Sequence, residues 1–185
     1  MINHTIMQRI KSLFFKESVR RWHFKDIIIE SGLSRERVNF FLKQLLNEKL
    51  IKRIKPKGKM PYYLANRKTE SFRSKKRLFG LNLLEKSGLY NEILSIKEIK
   101  TAILFGSFSR GDWNNSSDID LFIFGNCDKL EKGKIELKLK KQIQLFNYNN
   151  LTDIKKELDS NLIPNIIKGF NIKGDLEPFK VIING

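Results

Sequence analysis

The sequence predicts an α/β chain of the α+β kind, made of two small folded parts joined by a helical connector. Three observations predict it. Residues 4–49 carry apolar side chains at helical spacing and lead into two short β-type runs around a basic turn. Residues 68–98 keep helical character throughout. Residues 100–105 and 117–124 are runs of strand length, with a Gly-Ser pair directly after the first and an Asp-x-Asp triplet at the start of the second. With 185 residues the chain has room for one large domain or two small ones. The expected divisions are 1–67, 68–98 and 99–185.

Composition narrows the class. Hydrophobic residues make up 41% and charged residues 30%, with only 4 Pro and 11 Gly, which is the balance of a folded soluble protein. No apolar run approaches the ~18 residues of a membrane span, and MINHTIMQRIKSLFFKES has charges inside its apolar stretch, unlike a secretory signal. The single cysteine, Cys127, excludes an intrachain disulfide and a cysteine-ligated zinc site, and it suits a reducing compartment. A cytoplasmic location without membrane contact is expected. The net charge is +16, and residues 1–67 hold 16 Lys and Arg against 5 Asp and Glu. An excess placed in the N-terminal third is the footprint of a nucleic-acid-binding module. A lysine-, isoleucine- and asparagine-rich composition spread through the whole chain is the competing explanation.

In the N-terminal third, Ile6, Ile10, Leu13 and Phe14 mark one face of a helix over about 4–16. Phe24, Ile27 and Ile28 mark a second over about 24–31. Ser31-Gly32-Leu33-Ser34 then supplies a left-handed stop at Gly32, a core plug at Leu33 and an N-cap at Ser34. A third helix, from Arg35 to about Lys49, turns Val38, Phe41, Leu42, Leu45 and Leu46 inward. Two helices joined by a short Gly-containing turn are a helix-turn-helix. The outer face of the third helix holds Glu36, Arg37, Phe40, Lys43, Gln44 and Asn47, several of them suited to base edges or phosphates, and Arg35, Arg37, Lys43 and Gln44 are the DNA contacts expected of it. Phe40 suits a thymine methyl, a partner subunit or the second domain. Ile51–Ile54 and Tyr62–Leu64 read as strands of a wing, with Lys55, Lys57 and Lys59 at its tip facing a phosphate backbone. A solvated hairpin in a protein-docking module is the alternative. The segment resembles the winged helix-turn-helix domains of prokaryotic transcription regulators, and double-stranded DNA is its expected partner.

The connector, residues 68–98, is basic at first and apolar later, and Gly88 is expected to break it into two helices. The second is expected to pack on the sheet that follows; the first serves either as a rigid spacer or as an element of a homodimer.

The chemistry is concentrated in GSFSRGDWNNSSDIDLFI, residues 106–123. Gly106 and Ser107 stand where a strand turns into a helix, and there a glycine admits close approach of a phosphate to amide groups that bind anions. Arg110 lies within reach of a triphosphate. Asp118 and Asp120, two apart on a strand, point to one face with Cα atoms roughly 6–7 Å apart. Two such carboxylates suit Mg²⁺, which takes one or two carboxylates and completes its shell with phosphate oxygens. Each piece alone has a bland explanation: a turn for Gly-Ser, a helix cap or calcium ligand for Asp-x-Asp. Their order and spacing between two apolar strands is specific.

Residues 101–182 resemble the minimal nucleotidyltransferase family, a branch of the DNA polymerase beta-like superfamily. GSFSRGDWNNSSDIDLFI matches its Gly-Ser motif and paired aspartates, KKQIQLFNYNNL its next strand, and LDSNLIPNIIKGFNIKGD its closing helix and last strand. The resemblance implies a mixed sheet with helices on one side, and transfer of a nucleoside monophosphate from an NTP, ATP by preference, to an acceptor. Related domains include antibiotic-modifying enzymes and antitoxins that adenylylate a toxin. Carried onto this chain, it assigns the β/γ-phosphates to Gly106 and Ser107, and Mg²⁺ to Asp118 and Asp120. It also places a third carboxylate on the next strand, where this sequence has Gln144. Glutamine cannot take a proton or neutralise a second cation, and losing a general base costs ~10²–10⁴ in rate. Glu136 in the preceding helix is the substitute to consider. Three functions follow as expectations: a DNA-associated transferase acting on a protein or small molecule, a transcription regulator that senses a nucleotide, and an antitoxin that binds DNA and a toxin.

Overall fold

The structure, a computed structural model, describes residues 2–179, with side chains from Met7 onward. The chain divides into two compact units, Met1–Lys76 and Arg77–Gly185. Residues of the C-terminal resemblance beyond Phe179, and the side chain of Ile6, lie outside what is described.

The first unit runs α1 (Ile2–Lys16), β1 (Trp22–His23), α2 (Phe24–Ser31), α3 (Arg35–Asn47), β2 (Ile51–Ile54) and β3 (Tyr62–Ala65). Gly32 ends α2 in the left-handed conformation (φ 63), and the Ser34 side chain accepts from the Arg37 amide at the start of α3. Ile10, Phe14, Ile27, Leu33, Val38, Phe41, Leu42 and Leu45 are buried, so the helical periodicity located the core. Helix α3 stops two residues earlier than expected. Lys49 takes a left-handed φ of 55, and the Leu50 amide folds back onto the Leu45 carbonyl to close the helix end. Strand β1 is not foreshadowed by any sequence pattern. It pairs antiparallel with β3, Trp22 opposite Tyr63, in a three-stranded sheet ordered β1-β3-β2. Trp22 is fully buried and packs edge-on against Phe14, with the Arg20 guanidinium 3.9 Å from its ring centroid.

Residues 70–95 form α4 (Glu70–Ser87) and α5 (Leu89–Ser95), separated at Gly88, which is left-handed at φ 93 as the break requires. The boundary between the units falls inside α4.

The second unit continues β4 (Ile99–Phe105), α6 (Gly106–Arg110), β5 (Ile119–Gly125), α7 (Lys132–Leu139), β6 (Ile143–Tyr148), α8 (Leu151–Glu157), α9 (Ile163–Ile167) and β7 (Phe170–Lys173). Its sheet is ordered β6-β5-β4-β7 and is mixed: β5 and β6 are parallel, while β4 is antiparallel to both β5 and β7. Ile103, Phe105 and Phe122 pack with Ile154 and Leu158 from the α8 region and Ile166 from α9. Ala102, Leu104, Leu121 and Ile123 point to the opposite face by the strand alternation, and they are equally buried. The sheet is therefore covered on both faces, not on one as the resemblance implied. Helix α5 contacts β4 and β7, as expected of the second connector helix.

Candidate active site

β4 delivers Phe105 opposite Asp120 of β5, and the chain then turns at once into α6. Gly106 makes that turn with φ 66. A Cβ built on it would overlap the Asp120 carboxylate, with Asp120 Cγ at 2.7 Å. The Ser107 amide favours the charged form of the same carboxylate. Glycine at 106 is thus required twice, by the left-handed backbone and by the space Asp120 occupies.

Asp118 lies one residue before β5, in the loop that enters the strand, not on the strand as expected. It is exposed and Asp120 is half-buried. Burial pushes the Asp120 carboxyl above the ordinary carboxylate range, and the charge of Asp118 pushes it the same way; Arg110 and the Ser107 amide offset part of this. A half-buried carboxylate held up by the charge of a neighbouring one makes a donor set suited to a cation. Among the described residues no three His, Cys, Asp or Glu side chains gather into a metal cage. Two carboxylates are the protein share that suits a Mg²⁺ taking its remaining oxygens from a triphosphate.

Arg110 is exposed, with its Nε 3.2 Å from Asp112 Oδ2. A surface pair of this kind is worth only ~0–1 kcal/mol, so a triphosphate can draw the guanidinium away at little cost. Gln144 stands directly across the parallel β5/β6 pairing from Asp120. This is the position on the neighbouring strand where the resemblance places a third carboxylate. Glu136 lines an open cavity of about 510 Å³ together with Asp118, Lys132, Gln142 and Gln144. Its Oε1 accepts from the Ile143 amide at 2.7 Å and lies 3.6 Å from Lys132 Nζ, so Glu136 pins the start of β6. Lys132 and Gln142 were not singled out from the sequence. No spacing signal marks them, because the crossover from β5 through α7 to β6 brings them there.

In the first unit, Arg35, Arg37, Lys43, Lys55, Lys57 and Lys59 are exposed and Gln44 is half-buried. Arg35 lies 5.5 Å over the Phe24 ring. Phe40 is 54% exposed, with an edge contact to Phe41. The wing lysines Lys57 and Lys59 line a cavity of about 650 Å³ with Arg21, His23, Met60 and Tyr62. Arg21 and His23 were missed by sequence reasoning, since β1 alone brings them beside the wing.

Residues 90–174 match the family model described as polymerase beta, nucleotidyltransferase. No curated protein matches the chain. Among solved structures, a toxin-antitoxin with AMP-PNP aligns at 20% identity and a TM-score of 0.35, over 54% of this chain and 77% of that one. A mutant of the toxin-antitoxin MntA-HpeT aligns at 15% identity and a TM-score of 0.34, over 57% and 78%. No helix among the described residues is long and apolar enough to cross a membrane. Gly106, Ser107, Asp118 and Asp120 thus stand at one strand-turn-helix-strand corner inside the span, residues 90–174, that is similar to the nucleotidyltransferase family model.

Proposed function

We propose that the second unit binds a Mg-nucleoside triphosphate, ATP by preference, and that the first unit is a winged helix that binds duplex DNA. The observation that carries the nucleotide reading is the Gly106–Asp120 contact, which sets a phosphate-admitting turn against the paired carboxylates. Asp118 and Asp120 hold the cation; bound there, it would neutralise charge on the phosphates. The Gly106 backbone and the Ser107 hydroxyl face the β/γ-phosphates, and Arg110 leaves Asp112 to join them.

Transfer of AMP to a protein or small-molecule acceptor is the fuller activity of such a domain. Gln144 opposite Asp120 favours binding over turnover, because no carboxylate stands there to take the acceptor's proton. We therefore favour a regulator or antitoxin whose domain binds nucleotide and transfers slowly, with a toxin-like protein as the candidate partner. Support for DNA binding comes from the charge of residues 1–67 and the basic wing with Arg21 and His23 beside it. Calorimetry of ATP binding in Mg²⁺, on the wild type and on the double variant Asp118→Asn, Asp120→Asn, tests the site. A lower affinity in the double variant is expected, and equal affinities would overturn the assignment.

A further inference from the structure

Helix α7 ends at Leu139, and Lys140 takes a left-handed φ of 52 that reverses the chain. The next residue, Lys141, sends its side chain to the loop that precedes β5. Its Nζ donates to three backbone carbonyls: Asn114 at 2.9 Å, Asn115 at 2.8 Å and Ser117 at 3.1 Å. An ammonium has three N–H donors, so the three carbonyls match its capacity. The rings of Phe108 and Trp113 also lie near it, their centroids 5.6 Å and 6.0 Å from Nζ.

The loop is shaped by its own side chains. Asn114 Oδ1 accepts from the Ser116 amide and hydroxyl, and the Asn114 amide donates to Ser117 Oγ. Those bonds are all local and fix a turn without fixing where the turn sits. One end is held by Trp113, fully buried and stacked on Phe108 at 4.9 Å between centroids. The other end is held where the Ile119 amide donates to the Gln142 carbonyl. Lys141 ties the exposed middle to the β6 side of the sheet, and Ser117, one of its three acceptors, is bonded directly to Asp118.

We infer that Lys141 is a positioning residue for Asp118: through the three carbonyls it sets the direction from which that carboxylate meets Asp120 and a shared cation. This inference rests on the nucleotide-site reading above. Groups that orient metal ligands typically cost ~10- to 100-fold in metal affinity when removed, and an effect of that size is expected here.

The test uses the full chain, with Lys141→Met removing the ammonium and Lys141→Arg restoring a cation. Hydrogen exchange should quicken at the amides of 115–118 in Lys141→Met. The Mg²⁺ concentration needed for half-maximal ATP binding should rise ~10-fold or more, while ATP affinity in EDTA stays unchanged, and Lys141→Arg should recover part of the Mg²⁺ response. Wild-type exchange in the loop overturns the inference, as does an equal loss of ATP affinity with and without Mg²⁺, which would mark general structural damage. Should Lys141→Met fail to fold, Lys141→Gln carries the same comparison. A wild type that binds no ATP in Mg²⁺ overturns the nucleotide site itself, whereas wild-type behaviour of the variant in a protein that binds Mg-ATP overturns only the role of Lys141.

Discussion

Gly106 and Asp120 compete for one space: the Asp120 carboxylate fills the position a side chain at 106 would take, with Cγ 2.7 Å from an added Cβ. Gly106→Ala must therefore push Asp120 aside and also place alanine at φ 66. The left-handed backbone alone costs about 1–2 kcal/mol. Thermal unfolding should show that loss, and calorimetry should show weaker Mg-ATP binding than the stability change explains. Wild-type affinity in a folded Gly106→Ala protein would mean that Asp120 is not a ligand at this corner.

Asp120 ought to weaken the metal-free fold at neutral pH. Burial and the neighbouring Asp118 raise its folded pKa, so the fold favours the protonated form. Its contribution is stabilising below the unfolded value of ~3.9 and is lost as pH rises through the higher folded value. Asp120→Asn should accordingly unfold at a higher temperature than the wild type at pH 7 in EDTA. The gap should close below about pH 4, where both are uncharged. Added Mg²⁺ should stabilise only the wild type. A variant that is less stable at pH 7 would contradict the sign.

Gln144 faces Asp120 across the parallel pairing, so a carboxylate placed there would join the acidic pair. Gln144→Asp should raise pyrophosphate release with a competent acceptor, on the scale of the ~10²-fold contribution of a general base. Gln144→Glu controls for reach. A wild type that is already fast, with neither change helping, would direct attention to Glu136, which lines the same cavity.

The wing is the DNA-contacting element if the first unit binds duplex DNA. Replacing Lys55, Lys57 and Lys59 with Ala should weaken binding uniformly across sequences. It should also flatten the dependence of log affinity on log salt by up to about 3, at ~0.9 for each phosphate no longer neutralised. An unchanged slope would remove these lysines from the interface. No binding by the full chain at low salt would leave the unit as a protein-docking module.

Helices, turns and the acidic motif were legible from the sequence because their causes are local. Helical burial repeats every 3.6 residues, Gly32 and Gly88 stop helices with positive φ, and Gly106-Ser107 and Asp118-x-Asp120 lie within fifteen residues of one another. Only the tertiary structure decided the rest. β1 is two residues long and exists because β3 offers Trp22 a partner, so no window of sequence contains its cause. The place of Gln144 opposite Asp120 depends on the parallel crossover from β5 to β6, and Lys141 reaches carbonyls 24 to 27 residues away. The shift of Asp118 off the strand and the close approach of Asp120 to Gly106 likewise follow from how β4 and β5 meet. Pairing register and side-chain reach are set when distant segments become neighbours, and a sequence read along its length holds the residue types but not those distances.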